Sequence, residues 1–289
     1  MTVCRPSLNE FCRVTQRLEC KIVSALSAAP YAMNRLSVCV ITLNEEQNLP
    51  RLLASLSGIA DEVIVVDSGS TDRTREIALQ YGAGFHFREW TNYADQKNHA
   101  ASLARFEWVL SLDADEELSS ALQSAILDWK RRKPQFPVYE IARRTWYLGA
   151  WIKHSGWYPD FKKRLYRAGS GQFTGSLHET LLVTEAHGRL AGDLLHYTVR
   201  DFSEHESKVV KYSTLAAEQM FSAGRRHWRG ALWFATPWTF VQNFVVRGGF
   251  LDGHRGALIA QMAARSVRLK YQKLGKLIAA ARETREGTR

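Results

Sequence analysis

Residues 36–43 read LSVCVITL, an apolar run that stops at the polar residues Asn44 and Glu45. The run EVIVVD at 62–67 also ends in a carboxylate, and WVLSLDAD at 108–115 repeats the pattern. Continuous apolar runs of this length predict strands that are buried on both faces. Segments with helical spacing separate them, so the alternation predicts an α/β fold, a mostly parallel sheet with helices on both faces.

The segments between these strands carry helix signals. Apolar residues recur at helical spacing over 47–56, and Ser70 or Thr71 is suited to cap a second helix that ends at Tyr81. A third helix is predicted over 94–105. Ligands of such sheets bind at the carboxyl ends of the strands, so the polar residues that follow the strands are predicted to converge on one edge.

Three regions differ in character along the chain. Residues 1–34 have mixed polarity and no clear period, so we expect a poorly ordered N-terminal extension, with the working protein beginning at or near Met33. Residues 35–200 are predicted to form the α/β domain, whose last part, 135–200, has short β-like pieces between Gly, Trp and Tyr residues. Residues 201–289 are basic and aromatic, and their pattern is helical.

The charge is unevenly distributed. The chain has 289 residues and a formal net charge of +10. Residues 1–199 carry 23 Lys+Arg and 22 Asp+Glu, whereas residues 200–289 carry 16 and 7, so a balance of +9 lies in the last third. A basic region of this kind attracts anionic surfaces such as nucleic acid, acidic lipid head groups or phosphorylated glycans.

Composition excludes several classes of protein. Hydrophobic residues make up 45% of the chain, which excludes wholesale disorder. There is no apolar run of about 18 residues, which argues against a plain membrane span. The four cysteines include no CxxC pair, so a disulfide framework and a zinc site are not expected, and a reducing, cytoplasmic setting is favoured.

Asp113 and Asp115 stand at the end of the apolar run that begins at Trp108. Two carboxylates two residues apart can hold one Mg²⁺ or Mn²⁺ ion and leave positions for substrate phosphates. Taken alone, the motif is equally compatible with a solvated turn. We expect Glu117, which comes shortly after, to begin a helix.

The second strand ends at Asp67, whose carboxylate can accept hydrogen bonds from a base or a ribose. Ser68 and Gly69 begin a tight turn with exposed backbone N–H groups. Lys97, early in the third helix, can reach a pyrophosphate as a point charge. The alternatives are a simple strand-to-helix turn and a surface lysine.

Four sequence blocks together resemble family 2 glycosyltransferases of the GT-A fold. They are SVCVITLNEEQNL, EVIVVDSGSTDRT, DQKNHA and WVLSLDADEEL. Later blocks are similar to the branch of lipopolysaccharide-core enzymes that add β-1,4-glucose to an inner-core heptose. These blocks are GAWIKHSGWYPDFKKRLYR, GSLHE, GDLLHY, KYSTLAAEQM, RGGFLDG and LKYQKL. The resemblance begins at about Leu36 and implies a nucleotide-sugar half over 35–118 and an acceptor half over 135–200.

The resemblance also implies roles for the residues at the strand ends. Thr42, Asn44 and Glu45 would line the nucleoside pocket together with the turn at Ser68 and Gly69, and Asp67 would contact the uridine or ribose. Lys97 would approach the diphosphate. Asp113 would lie near the ribose and the metal, and Asp115 would bind the metal, which acts as a Lewis acid for the departing nucleoside diphosphate.

An inverting transfer needs a base for the acceptor hydroxyl. Asp160 is the preferred candidate, because neighbouring aromatic rings are expected to bury it partly and raise its pKa, and Glu179 is the rival. His178 is expected to complete the metal shell or contact phosphate, with a hydrogen-bonded core histidine as the alternative. His196 is interpreted as structural.

The basic C-terminal region combines aromatic residues with arginines. Seven Trp and Phe residues lie between Trp228 and Phe250, and Arg225, Arg226, Arg229 and Arg247 flank them. This pattern is typical of a helix lying in a membrane interface, and a helix packed on the catalytic domain is the alternative. Residues 225–276 are therefore expected to bind an anionic inner-membrane surface. The implied location is cytoplasmic, on the inner face of that membrane.

The sequence thus predicts a metal-dependent glycosyltransferase that moves glucose from UDP-glucose onto a lipid-linked acceptor, an inner-core heptose of lipopolysaccharide. A different glycan or a peptide is the alternative acceptor. A Mg²⁺-dependent nucleotidyltransferase or phosphatase and a basic nucleic-acid-binding protein are alternatives from other classes. The sequence has no motif typical of nucleic-acid readers, so no nucleic-acid partner is expected.

Overall fold

A computed structural model describes residues 33–175, 179–199 and 202–286. Residues 1–32 and His178 lie outside the described residues, and the predictions made for them stay predictions. Asn34 belongs to the folded domain: its backbone N–H bonds the carbonyl of Lys130 at 2.8 Å, and its side-chain amide bonds the carbonyls of Trp129 and Arg132. The ordered fold therefore begins by residue 34, inside the region predicted to be an extension.

Strands and helices alternate as predicted through the first half of the described chain. The strands are β1 (Leu36–Thr42), β2 (Glu62–Asp67), β3 (Gly84–Phe87), β4 (Trp108–Asp113), β5 (Glu116–Leu118), β6 (Val138–Tyr147), β7 (Ala150–Trp151), β8 (Asp160–Arg167), β9 (Gln172–Thr174), β10 (Thr180–Leu182) and β11 (Gly188–Val199). The helices are α1 (Leu49–Ser55), α2 (Thr74–Gln80), α3 (Tyr93–Ser102), α4 (Ser120–Lys130), α5 (Phe202–Ser222), α6 (Arg229–Val241) and α7 (Gly253–Glu286).

The main sheet has the strand order β3-β2-β1-β4-β8-β6-β11-β5, and β7 pairs with β6. The β3-β2-β1-β4 half is parallel, and β6 and β11 are also parallel. β8 runs antiparallel between β4 and β6. β9 and β10 form a separate two-stranded sheet. The predicted α/β architecture, a mostly parallel sheet with helices around it, is confirmed, and the strands of the 135–200 region extend the sheet in mixed orientation.

Alternation along the central strands fills two cores. Val38 and Val40 face one core with α1, α2 and α4, whereas Cys39 faces the other with α3 and the β9-β10 pair. Both faces of the strand are covered, which is why the run is continuously apolar. Burial, and to a lesser degree the charge of Glu62, raises the pKa of the Cys39 thiol to about 12, so this cysteine is an apolar core residue rather than a nucleophile.

Two local predictions are wrong. Helix α2 begins at Thr74, whose N–H bonds the Asp72 carboxylate, so neither Ser70 nor Thr71 caps it. Glu117 lies in strand β5, because that segment pairs with β11, and the following helix is capped by Ser119 instead. In both places tertiary pairing overrides the local signal.

Helices form the whole C-terminal region that the structure describes. A π-helical turn (Gln242–Val246) and a short 3₁₀ turn (Gly249–Asp252) connect α6 to α7. α6 contains Pro237 and has no buried residue. Within the described residues, no helix is long and apolar enough to cross a membrane.

Candidate active site

A cleft of about 590 Å³ opens at the carboxyl ends of the parallel strands. The register of the parallel strands aligns the residues at their ends. Thr42 lies beside Asp67, and Ile41 lies beside Asp113. The walls of the cleft include Thr42, Glu45, Ser68, Asp113, Asp115 and Glu179. The predicted convergence of the strand ends on one edge of the sheet is thus observed.

Asp67 holds the turn after β2. Its carboxylate accepts hydrogen bonds from the hydroxyls of Thr42 and Ser70 and from the backbone N–H groups of Gly69 and Ser70. The side chain is only 2% exposed. Asp67 therefore lies behind the cleft wall and shapes it, and Ser68 is the turn residue that lines the cleft.

The loop at Asn44 is tied to the same turn. Asn44 has a φ of 56°, its N–H donates to the Ser70 hydroxyl, and its side-chain carbonyl accepts from the Thr71 N–H. The next N–H, of Glu45, donates to the Thr74 hydroxyl. Asn44 thus fixes the rim, while Glu45 faces the cleft.

A ladder of alternating charges runs behind the cleft. Lys97 Nζ lies 2.6 Å from Glu179 Oε1 and 2.7 Å from Asp113 Oδ1. Arg164 lies 2.6 Å from the other Asp113 oxygen and 2.7 Å from Glu116, which is fully buried. Each buried charge in this run therefore contacts an opposite charge, which is the condition for keeping it inside the protein.

The ladder continues past Glu116 to residues of β6 and β8. Arg143 lies 3.7 Å from Glu116 and 2.7 Å from Asp160, and Lys162 lies 3.0 Å from Asp160. We call the set Glu179, Lys97, Asp113, Arg164, Glu116, Arg143, Asp160 and Lys162 the charge ladder.

The ladder fixes the ionisation of Asp113. Burial opposes ionisation of this carboxyl, but the charges of Arg164 and Lys97 outweigh the effect and hold its pKa well below the usual range. Lys97 is 1% exposed, so the surface-lysine alternative is wrong. It lies behind Asp113 and Glu179, and its charge is paired with both.

Asp115 lines the cleft next to His196, with 3.2 Å between Oδ2 and Nε2. Burial opposes ionisation of Asp115, and the charge and hydrogen bond of His196 outweigh it, so the pKa is lowered. His196 Nδ1 is buried and has no hydrogen-bond partner among the described residues. His196, interpreted as structural from the sequence, is therefore a cleft residue. Only its pairing opposite Glu116 across β11 and β5 reveals this.

The donor set suits a hard divalent cation that is shared with substrate phosphates. The described residues contain no group of three His, Cys, Asp or Glu side chains arranged as a closed metal site. Mg²⁺ and Mn²⁺ need only one or two protein carboxylates when phosphates supply the other ligands. Asp115 is placed to be such a ligand, with Asp113 beside it.

The two candidate bases differ in position. Asp160 is not among the residues that line the cleft. Burial opposes its ionisation, but Arg143 and Lys162 lower its pKa, so the expected rise is wrong. Glu179 lines the cleft, and Lys97 donates a hydrogen bond to it.

Several cleft residues carried no local signal in the sequence. Trp90 and Tyr93 form an edge-to-face pair, with ring centroids 4.8 Å apart, on one wall. Lys211 and Tyr212 reach the cleft from α5, and Arg143 reaches it from β6. Lys211 and Tyr212 line the cleft because of how α5 packs on the rest of the fold, and the periodicity of the sequence does not reveal this packing.

The fold and the site define an α/β protein that binds its ligand at the carboxyl edge of a parallel sheet. The family model for glycosyl transferase family 2 matches residues 37–176. A lipopolysaccharide core biosynthesis glycosyltransferase, LpsC of Rhizobium meliloti, is 31% identical over 82% of this chain and 92% of its own length. An uncharacterized glycosyltransferase of Rickettsia typhi is 30% identical over 85% of this chain and 88% of its own length.

The chain therefore belongs to glycosyl transferase family 2 and is a glycosyltransferase. Membership confirms the resemblance seen in the sequence blocks and sets aside the phosphatase and nucleotidyltransferase alternatives.

Solved structures give weaker likenesses. TarS of S. aureus (residues 1–349) is 17% identical, with a TM-score of 0.39 over 86% of this chain and 92% of that one. Glucosyl-3-phosphoglycerate synthase of Mycobacterium tuberculosis, crystallised with Mn²⁺ and UDP, is 22% identical, with a TM-score of 0.33 over 40% of this chain and 45% of that one. Scores in this range establish no shared detail of the site.

We predict that Arg164→Leu destabilises the protein by about 3–5 kcal/mol, because it removes the nearest cation of fully buried Glu116 and one of the two cations that hold Asp113. The matched control Arg167→Leu, on the same strand, breaks an exposed pair with Glu107 and costs about 0–1 kcal/mol. Urea unfolding of both variants at neutral pH measures the difference. Equal losses in the two variants would contradict the structural role of the ladder.

The ion pair between Asp113 and Arg164 also predicts that the stability of the protein depends on pH. The pKa of Asp113 is lower in the folded than in the unfolded chain, so its stabilisation is present above the unfolded pKa of about 4 and is lost as the pH falls through the folded value. Arg164→Leu should therefore lose less stability than the unsubstituted protein when the same unfolding experiment is repeated below about pH 4.

Proposed function

We propose that the protein is an inverting, metal-dependent transferase that moves glucose from UDP-glucose onto a lipid-linked acceptor, the inner-core heptose of lipopolysaccharide. The observation that carries the proposal is the placement of Asp115 beside Asp113 on one wall of the cleft, with Glu179 lining the same cleft. The kinship with a lipopolysaccharide core biosynthesis glycosyltransferase supports the acceptor.

The metal would be held by Asp115, with Asp113 in support. Both oxygens of Asp113 already contact Lys97 or Arg164, whereas His196 is the one ion-pair partner of Asp115 among the described residues. A divalent cation bound there would supply Lewis-acid stabilisation to the leaving diphosphate.

Glu179 is our candidate for the base, in preference to Asp160. A base must reach the acceptor hydroxyl inside the cleft, and Glu179 lines the cleft whereas Asp160 does not. Lys97, 2.6 Å from Glu179, orients the carboxylate and keeps one oxygen in place. The proton of the acceptor hydroxyl would pass to the Glu179 carboxylate as the hydroxyl oxygen attacks the anomeric carbon.

Lys211 is the cation best placed for the donor phosphates. Lys97 is enclosed by two carboxylates, and Arg143 pairs with Asp160. Lys211 lines the cleft, is exposed, and has no carboxylate within ion-pair distance among the described residues. An exposed lysine with this freedom can follow a diphosphate as the bond to the sugar breaks.

Residues 225–276 are proposed to hold the enzyme on the cytoplasmic face of an anionic membrane. Trp233 and Phe234 of α6 are 77% and 79% exposed, and Trp238, Val245, Phe250 and Leu251 are exposed on the same segment. Arg225, Arg226, Arg229 and Arg247 remain exposed beside them. This surface supports the interfacial interpretation over the packed-helix alternative.

Not all the C-terminal charge is available to that membrane. Arg265 pairs with Glu206, and Lys273 donates hydrogen bonds to Val210, Ser213 and Thr214, which docks α7 on α5. Arg268 and Lys276 stay exposed. The basic residues of α7 are therefore partly engaged in contacts with α5.

Metal dependence is tested by UDP release from a panel of UDP-, GDP- and ADP-sugars with Mn²⁺ or Mg²⁺. We expect UDP-glucose to be the best donor, EDTA to abolish turnover, and Asp115→Asn to lower kcat by about 10²-fold or more, because the leaving diphosphate loses its counter-charge. Asp128→Asn, an exposed carboxylate on α4, is the control and should be unchanged. Turnover that survives both EDTA and Asp115→Asn would refute the metal role.

The base assignment is tested with Glu179→Gln and Asp160→Asn, using deacylated lipopolysaccharide inner core as acceptor. Glu179→Gln should lower kcat for transfer by about 10²–10⁴-fold and leave UDP binding in place, because only proton transfer is lost. Asp160→Asn should keep most of the transfer activity. The opposite result would make Asp160 the base.

For Lys211, we predict that Lys211→Gln weakens UDP binding about tenfold, since one charged contact to phosphate is lost, and leaves uridine binding unchanged. Lys276→Gln, an exposed lysine on α7, is the control. Calorimetric titration with both ligands gives the comparison. A loss of the same size for uridine would show that Lys211 acts on the shape of the cleft instead.

Membrane docking is tested by flotation with vesicles of phosphatidylglycerol and phosphatidylcholine. A triple substitution of Trp233, Phe234 and Trp238 to Ser should lose flotation on the anionic vesicles, because the inserted apolar area is removed. Leu79→Ser with Phe87→Ser, also exposed apolar residues but elsewhere on the molecule, should float normally. Equal flotation of the triple variant and the unsubstituted protein would overturn the docking surface.

A further inference from the structure

Two cavities lie on either side of Trp228, between the start of α6 and the C-terminal half of α7. The first, of about 390 Å³, is lined by Arg226, His227, Arg229 and Arg282, and we call it the basic cavity. The second, of about 580 Å³, has a mostly apolar surface lined by Leu232, Leu269, Gln272, Lys273, Lys276 and Ala279, and we call it the apolar groove. Trp228, Gly275 and Ala279 border both cavities, so the two are continuous around one indole ring.

The wall between the cavities is part of the folded helical core. Trp228 packs against a cluster that includes the buried side chains of Ala217, Leu274 and Ile278. Gly275 faces the indole so closely that a Cβ there would lie 2.9 Å from the ring. The absence of a side chain at Gly275 therefore leaves room for the Trp228 indole. The position of this indole, and with it the shape of both cavities, follows from the packing of α5, α6 and α7.

The basic cavity carries uncompensated positive charge. Among the residues that the structure describes, no Asp or Glu lines either cavity. The Arg226 guanidinium donates to the backbone carbonyls of Phe221 and Arg225, and it forms no ion pair with a described carboxylate. Across the described part of the chain, neither Arg229 nor Arg282 lies within ion-pair distance of a carboxylate. Three arginines around one small cavity attract an anion, and guanidinium groups match phosphate oxygens in geometry.

The neighbouring apolar groove indicates that the anion carries an apolar chain. A free phosphate or a nucleotide would fill the basic cavity and leave an adjoining apolar groove in water. A molecule with an anionic phosphate head and an acyl chain satisfies both cavities at once. We propose that the structure holds a binding site for one anionic phospholipid, with the phosphate on Arg226, Arg229 and Arg282 and an acyl chain along the groove past Trp228.

This site goes beyond glycosyl transfer and does not depend on which sugar is moved. It shares no lining residue with the active-site cleft. It differs from insertion of the exposed aromatic face of α6, since Trp233 and Phe234 line neither cavity, although Arg226 and Arg229 belong to both surfaces. A single bound lipid would recognise head-group charge by direct contact, whereas the exposed face of α6 binds any interface that accepts aromatic side chains.

The probe is dihexanoyl phosphatidylglycerol, used with the full chain at concentrations at which the lipid is monomeric, and measured by calorimetry and native mass spectrometry. One molecule should bind per chain, at least about tenfold more tightly than dihexanoyl phosphatidylcholine or inorganic phosphate. Arg229→Gln with Arg282→Gln should weaken binding about tenfold or more. Leu232→Trp, which fills the groove, should abolish it.

Matched controls keep the test specific. Arg268→Gln and Leu251→Trp, exposed positions outside both cavities, should bind the lipid normally. The Trp233, Phe234 and Trp238 triple variant should lose vesicle flotation and keep binding of the monomeric lipid, so failure of the membrane proposal and failure of this one are distinguishable. Thermal melting and UDP-glucose turnover should be unchanged in every variant, which excludes misfolding.

The inference is overturned if inorganic phosphate binds as tightly as phosphatidylglycerol, which would mean an anion site without an acyl groove. Equal affinity for phosphatidylcholine would also overturn it, because the arginines would then not read the head-group charge. Unchanged binding in the Leu232→Trp variant would place the lipid elsewhere.

Discussion

Arg164 is the group on which the active site depends. Its guanidinium lies between Asp113 at the end of β4 and Glu116 on β5, and both Arg164 and Glu116 are buried. Removing the cation from a buried ion pair costs several kcal/mol, so Arg164 is central to keeping Glu116 inside the fold. Lys97 contacts the second oxygen of Asp113, so cations hold both oxygens of that carboxylate.

The charge ladder also joins the two halves of the sheet. Its members come from α3, β4, β5, β6, β8 and the segment before β10, which are distant in sequence. Strand β8 inserts antiparallel between β4 and β6, and this brings Arg164 beneath the carboxylates of the parallel half. The mixed half of the sheet therefore supplies the cations that allow the acidic strand ends to be buried.

The C-terminal helices divide their positive charge among different tasks. Lys211 reaches the cleft, Lys273 fastens α7 to α5, and Arg226, Arg229 and Arg282 surround the basic cavity. The excess of +9 in this region is thus not a uniform attraction for polyanions. Because α5 contributes Lys211 and Tyr212 to the cleft and also packs against α7, the catalytic edge of the sheet and the exposed aromatic surface belong to one packed assembly.

The sequence by itself determined the strands β1, β2 and β4 with their polar ends and the cleft acids Asp113 and Asp115, because apolar runs and strand-end polarity are local properties, and its sequence blocks indicated the family. Only the tertiary structure decided that Asp67 supports the wall, that Lys97 is buried, that His196 contacts Asp115 and that Asp160 lies off the cleft. These facts depend on strand order and register. The strand order decides which side chains can form ion pairs. The sequence contains no local signal that β8 inserts between β4 and β6.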